Sequence, residues 1–424
     1  MKIIRYPESA EWPHLLARPV MDLREIESRV APILQQVRQR GDAAVRDFTL
    51  QFDKVQLDDL RVSAAERAEA ETLVSPELKA AIGLAKSNIE TFHRAQLGQP
   101  EPITTQPGVT CWRKSVGIEK VGLYIPGGSA PLFSTVLMLG VPARLAGCRQ
   151  VVLCTPANRA GKVHPAILYA AAQVGITDIF KVGGAQAIGA MAYGTESIPR
   201  ADKLFGPGNQ YVTAAKQLVN KEGLAIDMPA GPSEVAVYAD DSSNPVFVAA
   251  DLLSQAEHGP DSQVILVSTS EAAIQKAAEE VLRQLEALPR KEIARQALSH
   301  SKAFLVQHED EALQLLNAYA AEHLILAVDH AAALAERITN AGSVFLGHYT
   351  PEAAGDYASG TNHTLPTNGF ARAYSGVSVD SFVKKITFQQ ITPEGIRNIG
   401  PAVEIMATAE ELQAHKNAVT VRLG

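Results

Sequence analysis

Residues 121–154 read VGLYIPGGSAPLFSTVLMLGVPARLAGCRQVVLC. Two short β-rich runs, 121–125 and 151–154, enclose a glycine-rich turn and a stretch of helical length. A strand, a helix and a second strand in this order favour a parallel sheet, because the helix carries the chain back to the edge where the first strand began. The stretch therefore predicts an α/β fold.

The same alternation extends outward along the chain. Another β-rich run spans 179–182, and a second series begins after a break rich in turn residues at 228–232. This second series predicts a helix over 247–257. It predicts strands over 235–238, 264–267, 304–306, 324–327 and 343–346. We therefore expect two α/β units.

Both ends of the chain predict helices. Asp22 and Glu25 have the spacing of a capping box, and an apolar stripe of helical period follows over 26–37 until Gly41 ends it. A second helix is expected from Pro76, with its apolar stripe over 78–92. After about residue 380 we expect a shorter tail with a helix that ends at 414–416.

The length and composition indicate a globular protein of more than one domain. A chain of 424 residues exceeds one ordinary hydrophobic core, and 46% hydrophobic with 20% charged residues is typical of a folded chain. Lys and Arg number 39 against 46 Asp and Glu, a formal net charge of −7, which argues against a nucleic-acid partner.

The cysteines and the N-terminus favour a cytoplasmic protein. Cys111, Cys148 and Cys154 are too few for a disulfide scaffold of this length, and we interpret all three as core or incidental residues. The first residues lack the apolar segment of a secretory signal. The 23 uncharged residues over 121–143 are interrupted by proline and glycine, so we expect no membrane span.

Three glycine-rich turns follow predicted strands, at 125–129, 182–186 and 205–209. Ligands of open parallel sheets lie beyond the carboxyl ends of strands, and each turn leads to a helix start whose free N–H groups can meet a phosphate. None has the G-x-G-x-x-G pattern. The turns thus permit a nucleotide without requiring one, and purely structural turns are the alternative.

Polar residues gather in three places. Gln255 and His258 lie three apart near a helix end, so both can face one metal ion, although a histidine there is also favoured by the helix dipole alone. A glycine-bounded polar loop spans 355–363. Glu322 and His323 precede an apolar strand, and adjacent strand residues reach one site only where the backbone bends.

Seven runs together resemble the histidinol dehydrogenase family. They are YIPGGSAPLFSTVLML (124–139), VGGAQAI (182–188), FGPGN (205–209), DMPAGPSEV (227–235), DLLSQAEHGPDSQVIL (251–266), AGDYASGTNHTLPT (354–367) and AHKNAV (414–419). The resemblance implies a zinc-dependent homodimer with shared active sites. Such an enzyme oxidises L-histidinol to L-histidine through L-histidinal in two NAD-linked steps, the last reaction of histidine biosynthesis.

The resemblance also implies a fold of two incomplete Rossmann-like, parallel-sheet domains with small terminal segments that reach across the dimer. Residues 1–22 would form an N-terminal extension. A discontinuous domain, 23–123 and 234–378, would carry the zinc and catalytic residues, and an inserted domain, 124–233, would contribute the NAD cleft. Residues 379–424 would cross to the partner subunit.

Site residues follow from the resemblance position by position. The implied zinc ligands are Gln255, His258 and Asp356 of one subunit and His415 of the partner subunit. The substrate's amine and imidazole nitrogen would complete the coordination, and these four positions would also contact the substrate. The implied catalytic pair is His323, as the base that also contacts substrate, and Glu322, which activates water.

The remaining implied contacts are peripheral to the metal. Ser233, His363 and Glu410 would bind the substrate, and Tyr124, Gln186 and Asn209 would bind NAD, one in each glycine-rich turn. The sequence departs from the family pattern at Ala320 and Ala321, where glycine and proline are expected, so the bend before the catalytic pair is less evident.

Two alternatives remain at the level of the sequence. Related dehydrogenases with the same metal and catalytic pair act on other small alcohols such as polyol sulfonates, although Glu410 and His363 favour an imidazole substrate. A zinc hydrolase, in which Glu322 activates a metal-bound water, would need no nucleotide.

Overall fold

The computed structural model describes residues 1–19, 23–98, 100–127, 131–229 and 231–424. Within these residues the strands form two parallel sheets and one small antiparallel sheet. Asp22 of the predicted capping box and residues 128–129 of the first glycine-rich turn lie outside the described residues. The predicted α/β class with two parallel-sheet units is confirmed.

One parallel sheet has five strands in the order β6-β5-β4-β7-β8. Its strands are β4 Lys120–Tyr124, β5 Gln150–Thr155, β6 Asp178–Lys181, β7 Lys203–Phe205 and β8 Ala225–Ile226. In chain order within the sheet this is 3-2-1-4-5, a Rossmann sheet without its last strand. The direction of the strand order reverses between β4 and β7, where such sheets open a crevice.

The other parallel sheet has six strands and repeats this order with one strand added at its edge, β1-β11-β10-β9-β12-β13. Its strands are β1 Lys2–Arg5, β9 Glu234–Ala239, β10 Gln263–Ser268, β11 Lys302–Leu305, β12 His323–Ala327 and β13 Ser343–Leu346. The N-terminal strand β1 pairs with β11. The sequence predicted every strand of this sheet except β1.

Helices cover the faces of both sheets. Those before residue 230 are α1 Trp12–Leu15, α2 Leu23–Arg40, α3 Asp42–Phe48, α4 Ala64–Leu73, α5 Pro76–Arg94, α6 Phe133–Leu145, α7 Pro165–Gln173, α8 Gly184–Tyr193 and α9 Gln210–Lys221. Those after it are α10 Pro245–Ala256, α11 Glu271–Leu285, α12 Lys291–Ser299, α13 Glu309–Tyr319, α14 Ala331–Ala335, α15 Glu352–Tyr357, α16 Pro393–Ala409 and α17 Gln413–Leu423. Short 3₁₀ or π turns are Ser9–Glu11, Thr49–Asp53, Phe370–Arg372 and Val379–Phe382.

The predicted N-terminal helices pack against the five-stranded sheet. Val30 and Leu34 of α2 share a core with α8 and α9, and Ile82 and Ile89 of α5 share one with α6. The family resemblance implies a domain that joins 23–123 to 234–378, and an apolar stripe by itself shows only that a helix is buried and not against which sheet. The domain boundaries themselves stay a prediction.

The C-terminal tail differs from its prediction. Strand β14, Val383–Ile391, pairs antiparallel with β3, Val109–Gly117, which also pairs with β2, Ile103–Gln106. The expected helix ending at 414–416 is wrong, because α16 ends at Ala409 and Glu411 takes a left-handed conformation with φ +59°. Residues 414–416 instead lie in the first turn of α17.

A buried ion pair fixes the crevice side of the five-stranded sheet. Lys216 of α9 pairs with Asp227, and both side chains are almost fully buried. Asp227 also accepts hydrogen bonds from the N–H groups of Gly206 (2.8 Å) and Met228 (2.8 Å). Gly206 has φ +126°, and a Cβ there would overlap the Tyr124 carbonyl oxygen, so only glycine lets β7 approach β4 at this point.

Replacing Asp227 with Ala should destabilise the protein by about 3–5 kcal/mol, because Lys216 would stay buried without its partner. Urea denaturation measures this free energy of unfolding. The matched control is Glu286→Ala, which removes exposed ion pairs with Lys291 and Arg295 and should leave the unfolding midpoint unchanged. An unchanged midpoint in Asp227→Ala would contradict the structural role of the pair.

Candidate active site

Glu322, His323 and Ser233 lie at the amino edge of the six-stranded sheet. His323 is the first residue of β12, and Ser233 directly precedes the neighbouring strand β9, whose Val235 is paired with His323. Ligands of parallel sheets are expected at the carboxyl edge. The glycine-rich turns of the five-stranded sheet lie at its carboxyl edge, as expected. Glu322, His323 and Ser233 instead lie at the amino edge of the six-stranded sheet.

A left-handed residue produces the bend that the pair requires. Ala320 ends α13 with φ +54°, and β12 begins three residues later. The side chains of Glu322 and His323 therefore do not point to opposite faces, as those of adjacent strand residues would. Glu322 Oε2 lies 3.7 Å from His323 Nδ1. A glycine would adopt this conformation without strain, and this chain makes the same bend with alanine.

The main chain of Glu234, the first residue of β9, contacts both catalytic candidates. Its N–H donates to Glu322 Oε2 over 2.9 Å, and its carbonyl oxygen lies 3.2 Å from His323 Nδ1. The side-chain amide of Gln255, at the end of α10, reaches the same carbonyl oxygen at 3.4 Å and His323 Nδ1 at 2.8 Å. These hydrogen bonds hold Glu322, His323 and Gln255 in one site.

A set of possible metal donors lies next to the pair. His258, Glu352 and Asp356 each offer a ligand atom within 4.8 Å of the others. His323 Nε2 lies 3.5 Å from Asp356 Oδ1, and it has no hydrogen-bond partner although it is buried. Gln255 Oε1 is also buried without a partner. Buried polar atoms without partners are uncommon, and here they fit donors directed at a bound group.

The site has an excess of buried carboxyl groups. Burial raises the pKa of both Glu322 and Glu352 to about 8, and it raises the pKa of Asp251 to about 7. Burial would lower the pKa of His323, but the carboxylates of Glu322, Glu352 and Asp356 outweigh it and raise that pKa to about 10. A bound cation would relieve this concentration of negative charge.

Asp356, which is half-buried, differs from Glu322 and Glu352 in the direction of its pKa shift. Burial works to raise its pKa, but the imidazoles of His323, His363 and His258 outweigh this and lower it. Asp356 is thus the carboxylate of the cluster that is held in its charged form, which is the form that binds a metal ion.

Glu352 is a site residue that the sequence analysis missed. It is almost fully buried in α15, four residues before Asp356 and therefore on the same helix face. Asp251 stands in the same relation to Gln255 on α10. Each of these two carboxyl groups lies four residues before a predicted ligand on the same helix, and this spacing is the signal in the sequence that could have identified both.

His363 joins the polar loop to the five-stranded sheet. Its Nδ1 lies 2.9 Å from the Asp356 carbonyl oxygen, and its Nε2 lies 3.1 Å from the hydroxyl of Thr135 on α6. The adjacent Asn362 donates to the Met138 carbonyl oxygen of the same helix over 2.6 Å. The predicted substrate contact His363 therefore lies between the donor cluster and the helix that follows the first glycine-rich turn.

His415 and Glu410 lie apart from this cluster within the single chain. Both are exposed, His415 in α17 and Glu410 directly after α16. Among the described residues, no hydrogen bond or ion pair joins either side chain to the donor cluster. Their predicted roles depend on a second subunit and stay predictions.

The three predicted NAD contacts lie at the carboxyl edge of the five-stranded sheet. Tyr124 ends β4, and its hydroxyl oxygen accepts a hydrogen bond from the Gly184 N–H over 3.1 Å. Gln186 is buried in α8, and its Oε1 has no partner. Asn209 caps α9 by accepting from the N–H groups of Tyr211 and Val212, which is the structural role that its turn position allows.

All three cysteines are free, and burial raises the pKa of Cys148 to about 11 and that of Cys154 still further, so neither thiol is activated as a nucleophile. Across the described ranges, no helix combines the length and apolar character needed to cross a membrane.

Known proteins resemble this chain in sequence and in structure. The family model described as histidinol dehydrogenase matches residues 16–423. Curated histidinol dehydrogenases from Bacteroides thetaiotaomicron and Xylella fastidiosa are 62% and 54% identical, and each alignment covers 100% of this chain and 99% of the relative. The crystal structure of histidinol dehydrogenase from Elizabethkingia anophelis has a TM-score of 0.98 at 56% identity, covering 100% of this chain and 98% of that one.

A more distant structure shares the fold alone. An acetylating aldehyde dehydrogenase from Geobacillus thermoglucosidasius is 14% identical with a TM-score of 0.50, over 89% of this chain and 93% of that one. The high identities along the whole chain confirm the predicted class, a dehydrogenase of histidine biosynthesis. The chain belongs to the histidinol dehydrogenase family.

Proposed function

We propose that this chain catalyses the zinc-dependent, NAD-linked four-electron oxidation of L-histidinol to L-histidine by way of L-histidinal. The observation that carries the proposal is the proximity of His323 to the donor cluster, with its Nε2 3.5 Å from Asp356 Oδ1 and Glu322 beside it. A base, a second carboxyl group and metal donors in one site fit the oxidation of an alcohol followed by addition of water to an aldehyde.

His323 is the proposed base that takes the alcohol proton while a hydride leaves the carbinol carbon. Its Nδ1 contacts the Glu234 carbonyl oxygen and the Gln255 side-chain amide, whereas its Nε2 is buried without a hydrogen-bond partner and is the nitrogen proposed to take the proton. The surrounding carboxylates raise the pKa of His323 to about 10, and a cation bound at the donor cluster would lower that pKa towards the neutral range, in which an imidazole accepts and releases protons as both oxidation steps require. NAD supplies the hydride acceptor.

Glu322 is the proposed base for the second step, in which water adds to the aldehyde. The Glu234 N–H occupies its Oε2, so Oε1 is the oxygen left for a water molecule. Burial raises the pKa of Glu322 to about 8. A carboxyl group with a pKa near the working pH is a stronger base than an ordinary glutamate and is still ionised in part.

We assign the zinc site to Gln255, His258 and Asp356, with Glu352 as an additional candidate. Amide oxygen, imidazole nitrogen and carboxylate are donors that zinc accepts, and the unpartnered Oε1 of Gln255 supports its place among them. A zinc ion held there would supply positive charge that offsets the buried carboxylates, lowers the pKa of His323 and fixes the position of the substrate.

We assign the fourth ligand, His415, and the substrate contact Glu410 to the partner subunit of a homodimer. Three apolar side chains on the same tail are largely exposed in the single chain, Ile405 (71%), Met406 (63%) and Val421 (63%). Exposed apolar side chains grouped on one segment favour a protein interface. Ser233 and His363, near the donor cluster, are the substrate contacts that we assign to the chain's own subunit.

We assign the NAD cleft to the carboxyl edge of the five-stranded sheet, with Tyr124, Gln186 and Asn209 as contacts. The reversal of strand order between β4 and β7 supports this, since dinucleotides bind at such points. The unpartnered Oε1 of Gln186 is free for a ligand, and the N-terminus of α9 at Asn209 favours a phosphate.

The three free cysteines are compatible with the expected cytoplasmic location.

Replacing His258 with Asn should leave a folded protein that binds zinc weakly, because one ligand is lost outside the regular part of α10. Metal analysis after dialysis measures the zinc content per chain. His14→Asn, at an exposed histidine in the N-terminal α1, is the control and should retain its zinc. Unchanged zinc content and activity in His258→Asn would remove His258 from the site.

Mixing two inactive variants, His415→Ala and His323→Ala, should restore part of the activity after subunit exchange. In a hybrid dimer one site receives both intact residues if His415 acts across the interface. NAD reduction is followed before and after exchange, which native mass spectrometry verifies. Activity should not recover when subunits are exchanged between two samples of the same variant. No recovery in verified hybrids would mean that His415 does not serve the partner's site.

The purified protein should reduce two NAD per histidinol, because each oxidation transfers one hydride. Glu322→Gln should slow histidinal oxidation roughly 10²–10⁴-fold while largely sparing histidinol oxidation, since only the second step adds water. His323→Gln should impair both steps. Absorbance of the reduced nicotinamide measures each rate.

The same assay separates the alternatives. A hydrolase would reduce no NAD, and a dehydrogenase for another small alcohol would not accept histidinol. Equal slowing of both steps by Glu322→Gln would indicate that Glu322 orients His323 and does not activate water.

A further inference from the structure

The side chain of Glu234 is held by a residue outside the candidate site. Arg18, in the loop after α1, donates from Nε to Glu234 Oε1 over 2.6 Å and from a terminal nitrogen to Oε2 over 2.7 Å. The two side chains are 11% and 2% exposed. A two-point, buried contact of this kind fixes both the position and the plane of the carboxylate.

Arg18 is itself firmly placed on the six-stranded sheet. It donates to the Tyr319 carbonyl oxygen over 2.7 Å, and its guanidinium lies 4.1 Å from the centre of the Tyr319 ring. The Tyr319 hydroxyl donates to Gln263 of β10, whose amide donates to the Ala17 carbonyl oxygen. These contacts close a ring of hydrogen bonds around Arg18, so the guanidinium has one defined position.

Glu234 therefore connects Arg18 to the catalytic candidates. Its carboxylate receives the Arg18 fork, while its main-chain N–H and carbonyl oxygen contact Glu322 and His323. The Asn368 N–H also donates to the carboxylate, which ties the polar loop after His363 to the same residue. A displacement of the Glu234 side chain would move its main chain and with it both hydrogen bonds.

We propose that Arg18 is a positioning residue for the reaction, which sets the geometry of Glu322 and His323 through Glu234 without touching the substrate. The inference rests on the catalytic roles proposed above. An arginine is required at this position because its planar fork matches the two carboxylate oxygens, whereas a lysine ammonium can satisfy only the charge.

The test compares Arg18→Lys and Arg18→Gln with Arg5→Ala. Arg5 lies in the same N-terminal segment and makes an exposed pair with Glu271, so it controls for attachment of this segment to the sheet. For each zinc-loaded variant, kcat is measured with histidinol and with histidinal, together with the KM for NAD and the urea midpoint. Rates are expressed per folded chain.

The expected loss in kcat is roughly 10²-fold for Arg18→Gln, as for a displacement of about 1 Å at the reacting groups, with Arg18→Lys intermediate. The KM for NAD should stay within about twofold, since the cofactor turns belong to the other sheet. Arg5→Ala should keep the kcat of the unaltered protein. If Arg18→Gln does not fold, Arg18→Lys alone decides.

A second pair of variants checks that the effect passes through Glu234. Glu234→Asp shortens the side chain and should lower kcat as Arg18→Lys does, and the double variant should be less impaired than the product of the two losses. Simple multiplication of the losses would contradict the connection.

Two different failures can be told apart. An unchanged kcat in Arg18→Lys, with a lowered urea midpoint, would make Arg18 a structural residue only and overturn the inference. Unchanged rates in Glu322→Gln and His323→Gln would instead overturn the proposed catalytic pair, whatever Arg18 does.

Discussion

The main chain at Glu234 is the contact on which the candidate site depends. Its N–H and carbonyl oxygen face Glu322 and His323, which a left-handed residue, Ala320, brings to one side of the strand. Neither contact could form if β9 and β12 were not adjacent and parallel with their amino ends in register. The sheet order thus determines which two segments, distant in sequence, meet in the site.

Charge is the second constraint. Three carboxyl groups, those of the buried Glu322 and Glu352 and of the half-buried Asp356, surround one imidazole, and burial raises the pKa of the first two. Such an arrangement is unfavourable in a chain that binds nothing there, because each ionised carboxylate loses its hydration. Its presence in an otherwise well-packed sheet fits a site shaped for a cation and a polar substrate.

The sequence predicted what local patterns encode and failed where packing or distant charge decides. Runs of apolar residues identified most strands of the two parallel sheets, and the three-residue spacing of Gln255 and His258 indicated that both could face one metal ion, which stays a prediction. Glu352 was missed because its one signal in the sequence, the four-residue spacing to Asp356, does not show that α15 packs beside α10. The antiparallel sheet was missed because β14 is largely exposed and polar. His415 came from family resemblance alone, since no spacing relates a tail residue to the cluster.

The two parallel sheets share one strand order but are used at opposite edges, the carboxyl edge for the glycine-rich turns and the amino edge for Glu322 and His323. The hydrogen bond between Thr135 and His363 spans the border between them. With the proposed roles, the dinucleotide and the organic substrate occupy separate compartments of one cleft. The reduced dinucleotide can then leave and an oxidised one can bind while the aldehyde intermediate stays in the substrate compartment, away from the bulk solvent.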